Sequence, residues 1–133
     1  FAPHLRHCSG DVWPAMIALV VDGASSQPIG IHRTYLARDG RGKAPIKPSK
    51  MMLGPCRGGA VKLDAAANAL MIGEGIETCL AAMQATGRPA WAALSTSGLR
   101  ALELPDTITD RTRALSDDPF QIVKPPRGPP SRS

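Results

Sequence analysis

The chain has 133 residues, 43% of them apolar, with a formal charge of +5 and a pI near 9.6. That length fits one domain with a hydrophobic core of its own, and no run of about eighteen apolar residues is present to cross a membrane. Aromatics make up only 4%, so the core must be built from Ala, Leu, Ile, Val and Met, and the basic balance points to an anionic partner.

The first residue is Phe, and no charged-then-apolar signal segment follows it. The expectation is a piece of a longer protein or a product of processing. Cys8, Cys56 and Cys79 are far apart and form no C-x-x-C pair, which favours a reducing cytoplasm over a disulfide framework. His4, His7 and Cys8 lie close enough to suggest a metal site, but the second pair of ligands of a structural zinc centre is missing. A frayed polar terminus is the expected state of this segment.

"PAMIALVVDGASSQPIGIHRTYL" reads as a hairpin. Ala15 to Val21 is a nearly continuous apolar run, Gly23, Ser25 and Ser26 break it, and Ile29 to Leu36 resumes an alternating pattern. Residues 37–59 are rich in Gly and Pro, so no regular structure is expected there. They carry six Lys or Arg (Arg38, Arg41, Lys43, Lys47, Lys50, Arg57) against Asp39 alone. Their net charge of +5 equals that of the whole chain, so the basic character is local. Two readings stay open: a solvated linker, or a loop that touches phosphates.

From residue 60 alternating elements begin. Ala60 to Leu63 reads as a short strand, Asp64 to Asn68 as a turn or single helical turn, and Ala69 to Ile72 as an apolar strand. Ile76 to Thr86 reads as a helix with Ile76, Leu80 and Met83 on one face, capped by Gly87 with Pro89 beyond. Residues 90–94 form a second buried strand, "STSG" a loop, and Leu99 to Leu104 a short helix stopped by Pro105. This β-α-β-α order predicts a partial parallel sheet. Residues 106–133 offer only broken apolar pairs and end in Pro-rich, basic "KPPRGPPSRS", expected to be disordered.

Glu74 stands between Gly73 and Gly75 where the 69–72 strand turns into the helix. In open α/β sheets ligands bind beyond the carboxyl ends of strands. The two glycines are expected to let the backbone turn sharply and to leave room beside the carboxylate. Glu77 falls in the first helical turn, where the dipole favours a negative charge. The Ser95-Thr96-Ser97-Gly98 loop should land beside Glu74 and offer an anion seat through Ser95, Ser97 and Gly98. A solvated turn carboxylate without a role is the alternative for Glu74.

"LMIGEGIETCLAAMQATGRPAWAALSTSGLRALELP" resembles the first half of a toprim domain, the fold shared by bacterial and phage primases, topoisomerases and related nucleases. The closest likeness is to plasmid- and phage-type primases and primase-helicases. The segments "PAMIALVVDGASSQPIGIHRTYLARDGRGKA" and "KMMLGPCRGGAV" resemble what precedes toprim there, so the likeness covers about residues 5–105. It implies an α/β toprim-like half-domain at 60–105, a β-hairpin and basic loop at 1–59, and an irregular tail at 106–133. It also implies that Glu74 is the general acid/base and a Mg²⁺ ligand, with Glu77 at the second acidic position. The implied partners are a single-stranded DNA or RNA primer-template and a replicative helicase part of the parent protein.

The departure is a missing Asp-x-Asp strand, whose carboxylates hold Mg²⁺ with the Glu in toprim domains. Asp117-Asp118 are adjacent, and neighbouring strand residues point to opposite faces. The change of texture after Thr109 is what a truncated or frame-shifted end would give. Three functions follow: a primase-type catalytic module, a fragment without activity, or a nucleic-acid binding module working through the 38–57 loop. That loop lacks aromatics for stacking on bases.

Overall fold

The apolar run from Ala15 to Val21 sits inside a longer strand that organises the molecule. A computed structural model describes residues 1–66, 69–108 and 121–123. In chain order the elements are β1 (Ala2–Arg6), β2 (Val12–Asp22), β3 (Pro28–Tyr35), β4 (Lys50–Leu53), β5 (Gly59–Lys62), β6 (Leu70–Gly73), α1 (Ile76–Thr86), β7 (Ala90–Ala92), α2 (Thr96–Ala101) and β8 (Gln121–Val123). The described strands form one sheet in the order β4-β3-β2-β5-β7-β6-β8, with β1 also paired to β2.

β2 and β3 pair antiparallel from Ala15↔Tyr35 to Val21↔Pro28, with a register shift after Val20. Their turn is held by the Asp22 carboxylate, which accepts from the amides of Ala24 at 3.1 Å and Ser25 at 2.8 Å, a self-closing turn of the kind short acidic side chains favour. β5 joins the two halves of the chain. It pairs with β2 through Val21↔Ala60 and with β7 through Val61↔Ala92, so the sheet is continuous across residue 59.

Alternation along the central strands fills two layers, because successive side chains face opposite sides. Val61, Met71, Ala90 and Ala92 face α1 and pack with Val20, Ile76, Cys79 and Ala82. Ala60, Leu70, Ile72, Trp91 and Ala93 face the other way and pack with Leu102, Leu104 and Ile108. Such burial on both faces explains why these strands read as unbroken apolar runs. A third cluster, Ala15, Tyr35 and Ala44, lies under the basic loop.

Several expectations are corrected. The amino terminus is not frayed: β1 pairs with β2, and His7 is 2% exposed with Nε2 2.8 Å from the Pro48 carbonyl. Tyr35 donates its hydroxyl to the Arg6 carbonyl at 3.0 Å, which ties this edge down. Among the described residues no three His, Cys, Asp or Glu gather around a metal position. Residues 37–59 hold a strand, β4, paired with β3, and the loop before it is bridged at Leu36↔Lys43.

The sheet is mixed rather than parallel; β6 and β7 are its parallel pair. The short connection between β2 and β3 leaves no length for a crossover, so they return antiparallel. α1 has the expected bounds and its Gly87 cap, in the left-handed region at φ 67°. Its buried stripe is Ile76, Cys79 and Ala82, whereas Leu80 is 46% exposed. α2 begins three residues early, at Thr96, because Ser95 caps it. The tail is not irregular throughout: Ile108 is buried, and β8 pairs antiparallel with β6 through Met71↔Ile122. Residues 109–120, with Asp117-Asp118, and 124–133 lie outside the described residues.

A continuous sheet should unfold as one unit. Trp13 lies in the first half and Trp91 in the second, so the single-tryptophan proteins Trp91→Phe and Trp13→Phe report on each half separately. Leu70 is fully buried, and Leu70→Ala is expected to cost about 2–5 kcal/mol. The urea midpoint should fall equally at both tryptophans. A shift confined to Trp91 would show two independent units.

Candidate functional site

The parallel register of β6 and β7 runs Met71↔Ala90, Ile72↔Trp91 and Gly73↔Ala92. It continues beyond both strands, because Ala93 N–H donates to the Gly73 carbonyl and Leu94 N–H to the Glu74 carbonyl, each at 2.8 Å. Leu94 adopts φ 71° to do so, a left-handed conformation that costs a branched residue on the order of 1–3 kcal/mol. The main chain of Glu74 is thus fixed to the neighbouring strand, while its side chain is exposed.

The turn after β7 brings its own polar groups to that carboxylate. Ser95 accepts from Gly98 N–H at 2.9 Å and caps α2, and the Ser95 and Ser97 hydroxyls are 3.1 Å apart. Thr96 donates its hydroxyl to Glu74 Oε1. Gly98 is obligatory here, since a Cβ on it would sit 2.2 Å from the Ala93 carbonyl oxygen. Thr96 was not singled out from sequence; its signal was a hydroxyl at the first position of a capped helix. Gly98 N–H and the two serines, expected to seat an anion, are engaged with one another.

Gly75 has the extended conformation φ −98°, ψ 146°, so the sharp turn expected of the two glycines is not made through a left-handed backbone. A Cβ there would make only ordinary contacts, at 3.5 Å from the Thr78 hydroxyl and 3.7 Å from Glu77 Oε2, so neither backbone nor space requires glycine at this position, and the Glu74 side chain is simply exposed.

Glu77 has different company. Lys50 of β4 donates to its Oε2 at 3.2 Å, with the two side chains 33% and 52% exposed. Partial burial pushes the Glu77 carboxyl up, but its own backbone N–H, Lys50 and Lys43 together more than offset this and hold it below its ordinary value of 4.5. His32 of β3 is buried, and burial, then the Lys50 charge, pushes its imidazole down while Glu77 pulls it up. Residues far apart in sequence therefore meet at the start of α1.

The remaining basic residues disperse. Arg38 stacks 3.9 Å above the Trp13 ring and donates to the Val12 carbonyl at 2.9 Å. Arg41, Lys47 and Arg57 are exposed. Lys43 and Lys50 are the loop residues whose charges reach Glu77. Cys56 and Cys79 are buried, and the Cys79 thiol is pushed up to about 11 by burial, against a backbone hydrogen bond at Gly73 that lowers it; both fill core space.

Residues 69–122 match the family model of the toprim domain, and residues 1–63 match that of a domain of unknown function (DUF7146). No curated protein and no solved structure matches the chain. A toprim domain points to nucleotidyl transfer or other work on nucleic acids, and such domains generally bind Mg²⁺. The described residues do not complete a Mg²⁺ site. Glu74 offers one carboxylate, and Glu77 is tied to Lys50, whereas a hard divalent ion takes about six oxygen ligands. No described helix is long and apolar enough to cross a membrane.

The Lys50–Glu77 pair has a pH signature. A depressed folded pKa contributes stability that is present above the unfolded value and is lost as pH falls through the folded one. Lys50→Met should raise the Glu77 pKa toward 4.5, read by carboxyl NMR titration. The stability gap between the two proteins should be about 0.5 kcal/mol or less above pH 5 and close below the folded pKa, because the pair is half exposed. A gap that persists at low pH would assign the loss to packing of the lysine stem.

Proposed function

We propose that the chain carries the first half of a toprim catalytic module from a primase-type nucleotidyltransferase of the plasmid or phage kind, and that these residues alone are inactive. The observation that carries this reading is Glu74, presented beyond the carboxyl end of β6 and hydrogen-bonded to Thr96 at the start of the next strand–helix turn. Thr96 engages one carboxylate oxygen and leaves the other free on an exposed side chain. A carboxylate so held is suited to take a proton from an attacking hydroxyl as general base. Phosphoryl transfer draws its catalysis mostly from positioning and from neutralising charge, and a lone carboxylate supplies neither in full. In the parent, Mg²⁺ would require further carboxylates of the Asp-x-Asp type. Three free thiols support a reducing, cytoplasmic setting.

The partner in this reading is a single-stranded DNA or RNA primer-template, with a replicative helicase part in the parent. Lys43 and Lys50 beside α1 also support the second reading, a nucleic-acid binding module that uses the basic loop.

Two measurements test these readings. Binding of single-stranded DNA should weaken steeply with salt, and Lys43→Gln, Lys47→Gln and Lys50→Gln together should lower the log–log slope by about two units, at ~0.7 per contact. An unchanged slope removes the loop from the interface. The unmodified chain should synthesise no primer from nucleoside triphosphates with Mg²⁺ or Mn²⁺. A version given an Asp-x-Asp strand after Pro105 should gain synthesis and lose it again with Glu74→Gln, while Glu77→Gln has a smaller effect. Primer synthesis by the unmodified chain, or full activity of the restored Glu74→Gln protein, overturns the assignment.

A further inference from the structure

His32 and Thr34 lie two apart on β3 and so share one face. They are 6% and 2% exposed, and each buries a polar atom with no partner, His32 Nδ1 and Thr34 Oγ1. A buried polar atom left unpaired costs about 1–3 kcal/mol, so two on one strand face call for a partner. Lys50 lies directly across from Thr34 in the β3–β4 register, and its ammonium and the Glu77 carboxylate both act on His32.

The same spot faces the start of an eleven-residue helix. Met16 and Ala18, the β2 partners of Thr34 and His32, pack in the cluster that contains Ile76. Gly75 gives α1 no side-chain cap, and the backbone N–H of Glu77 in the first turn is engaged by its own carboxylate, so release of that carboxylate would free an amide at the positive end of the helix dipole for an anion. A lysine ammonium, a threonine hydroxyl, an imidazole N–H and a helix amino terminus are together a donor set for phosphate.

We infer that His32, Thr34 and Lys50, with the first turn of α1, form a phosphate subsite whose place the Glu77 carboxylate holds in the free protein. The segment 1–63 thereby supplies a wall of the site whose other edge is Glu74. The inference rests on the toprim reading for its setting but not for its test. Lys50 would release Glu77 and bond to the incoming phosphate from the solvent side, with His32, protonated on Nδ1, and Thr34 donating from beneath. The phosphate belongs either to a nucleoside triphosphate or to a nucleic-acid strand. A buried water would also satisfy the two atoms, and a titration distinguishes the cases.

The probe is inorganic tripolyphosphate, added without metal to the whole 133-residue chain, with binding read by calorimetry and the imidazoles by NMR. His32 resonances should move and saturate, while those of His4 and His7 stay. Thr34→Val should fold at least as stably, since the hydroxyl it removes has no partner, yet bind about tenfold more weakly for the lost hydrogen bond. Glu77→Gln should bind about tenfold more tightly, because the competing charge is gone. His32→Asn, which keeps an N–H near the place of Nδ1, should retain affinity that His32→Leu loses. A second arm uses a single-stranded oligonucleotide without terminal phosphate. The same His32 shift at equal affinity per phosphate assigns the subsite to the strand, and a response to tripolyphosphate alone assigns it to the nucleotide. Unmoved His32 signals, or Thr34→Val and Glu77→Gln proteins that bind like the parent, overturn the subsite. Tripolyphosphate binding with the expected variant effects, in a protein that neither binds nucleic acid nor gains synthesis on restoration, overturns the primase reading instead.

Discussion

The parallel pairing of β6 with β7 is the constraint on which the site depends. A parallel pair needs a crossover, and α1 is that crossover. Its placement puts the carboxyl ends of both strands at one edge and the amino ends of both following helices beside them. The ladder then extends past the strands to Leu94 N–H and the Glu74 carbonyl. That last bond is made by a leucine in the left-handed region, a strained conformation held in place by the packing of Gly98 against the Ala93 carbonyl. The position of Glu74 is therefore set by main-chain geometry, and its side chain has only to choose a rotamer.

The second constraint is β5, four residues that belong to both halves of the sheet. It pairs with the hairpin on one side and with β7 on the other. The segments that match two separate family models thus share one sheet, and the apolar layers run through the junction: Val20 and Val61 lie in one cluster with Met71 and Ile76. That continuity lets β3 and β4 bring His32 and Lys50 to the first turn of α1. A flexible linker at residue 59 would leave those contacts to chance.

The sequence was most legible where local signals are strong. Ile76–Thr86 has helical spacing and a glycine stop, and its bounds were read from them. The hairpin and the two central strands show branched, apolar runs broken by turn residues. β1, β4 and β8 were missed because short strands lack a period of their own; "KMML" follows a Pro-rich loop and becomes a strand only against β3. Leu80 was misassigned because an i, i+4 and an i, i+3 stripe differ by one residue, and only the position of the sheet decides between them. Glu74 was found through its glycines, yet Gly75 adopts a conformation open to any residue, and a Cβ there would make only ordinary contacts. His32 and Thr34 carry no sequence signal of their own. A threonine two residues beyond a histidine on an alternating strand reads as any half-buried pair, and its missing hydrogen bonds show only in three dimensions.

The two carboxylates at this edge differ in a way that separates their roles. Glu77 faces Lys50 and Lys43 and stays ionised through charge. A cation that approached it would have to displace a resident ammonium. Glu74 is held by a neutral hydroxyl and its side chain is exposed. A proton or a cation can reach it without displacing any charge, and Thr96 can keep its hydrogen bond throughout. One strand–turn–helix therefore carries a carboxylate whose charge is compensated by a lysine and, three residues before it, one that has no ion-pair partner among the described residues. The first is placed to organise the lysines of the preceding loop, and the second to take part in chemistry.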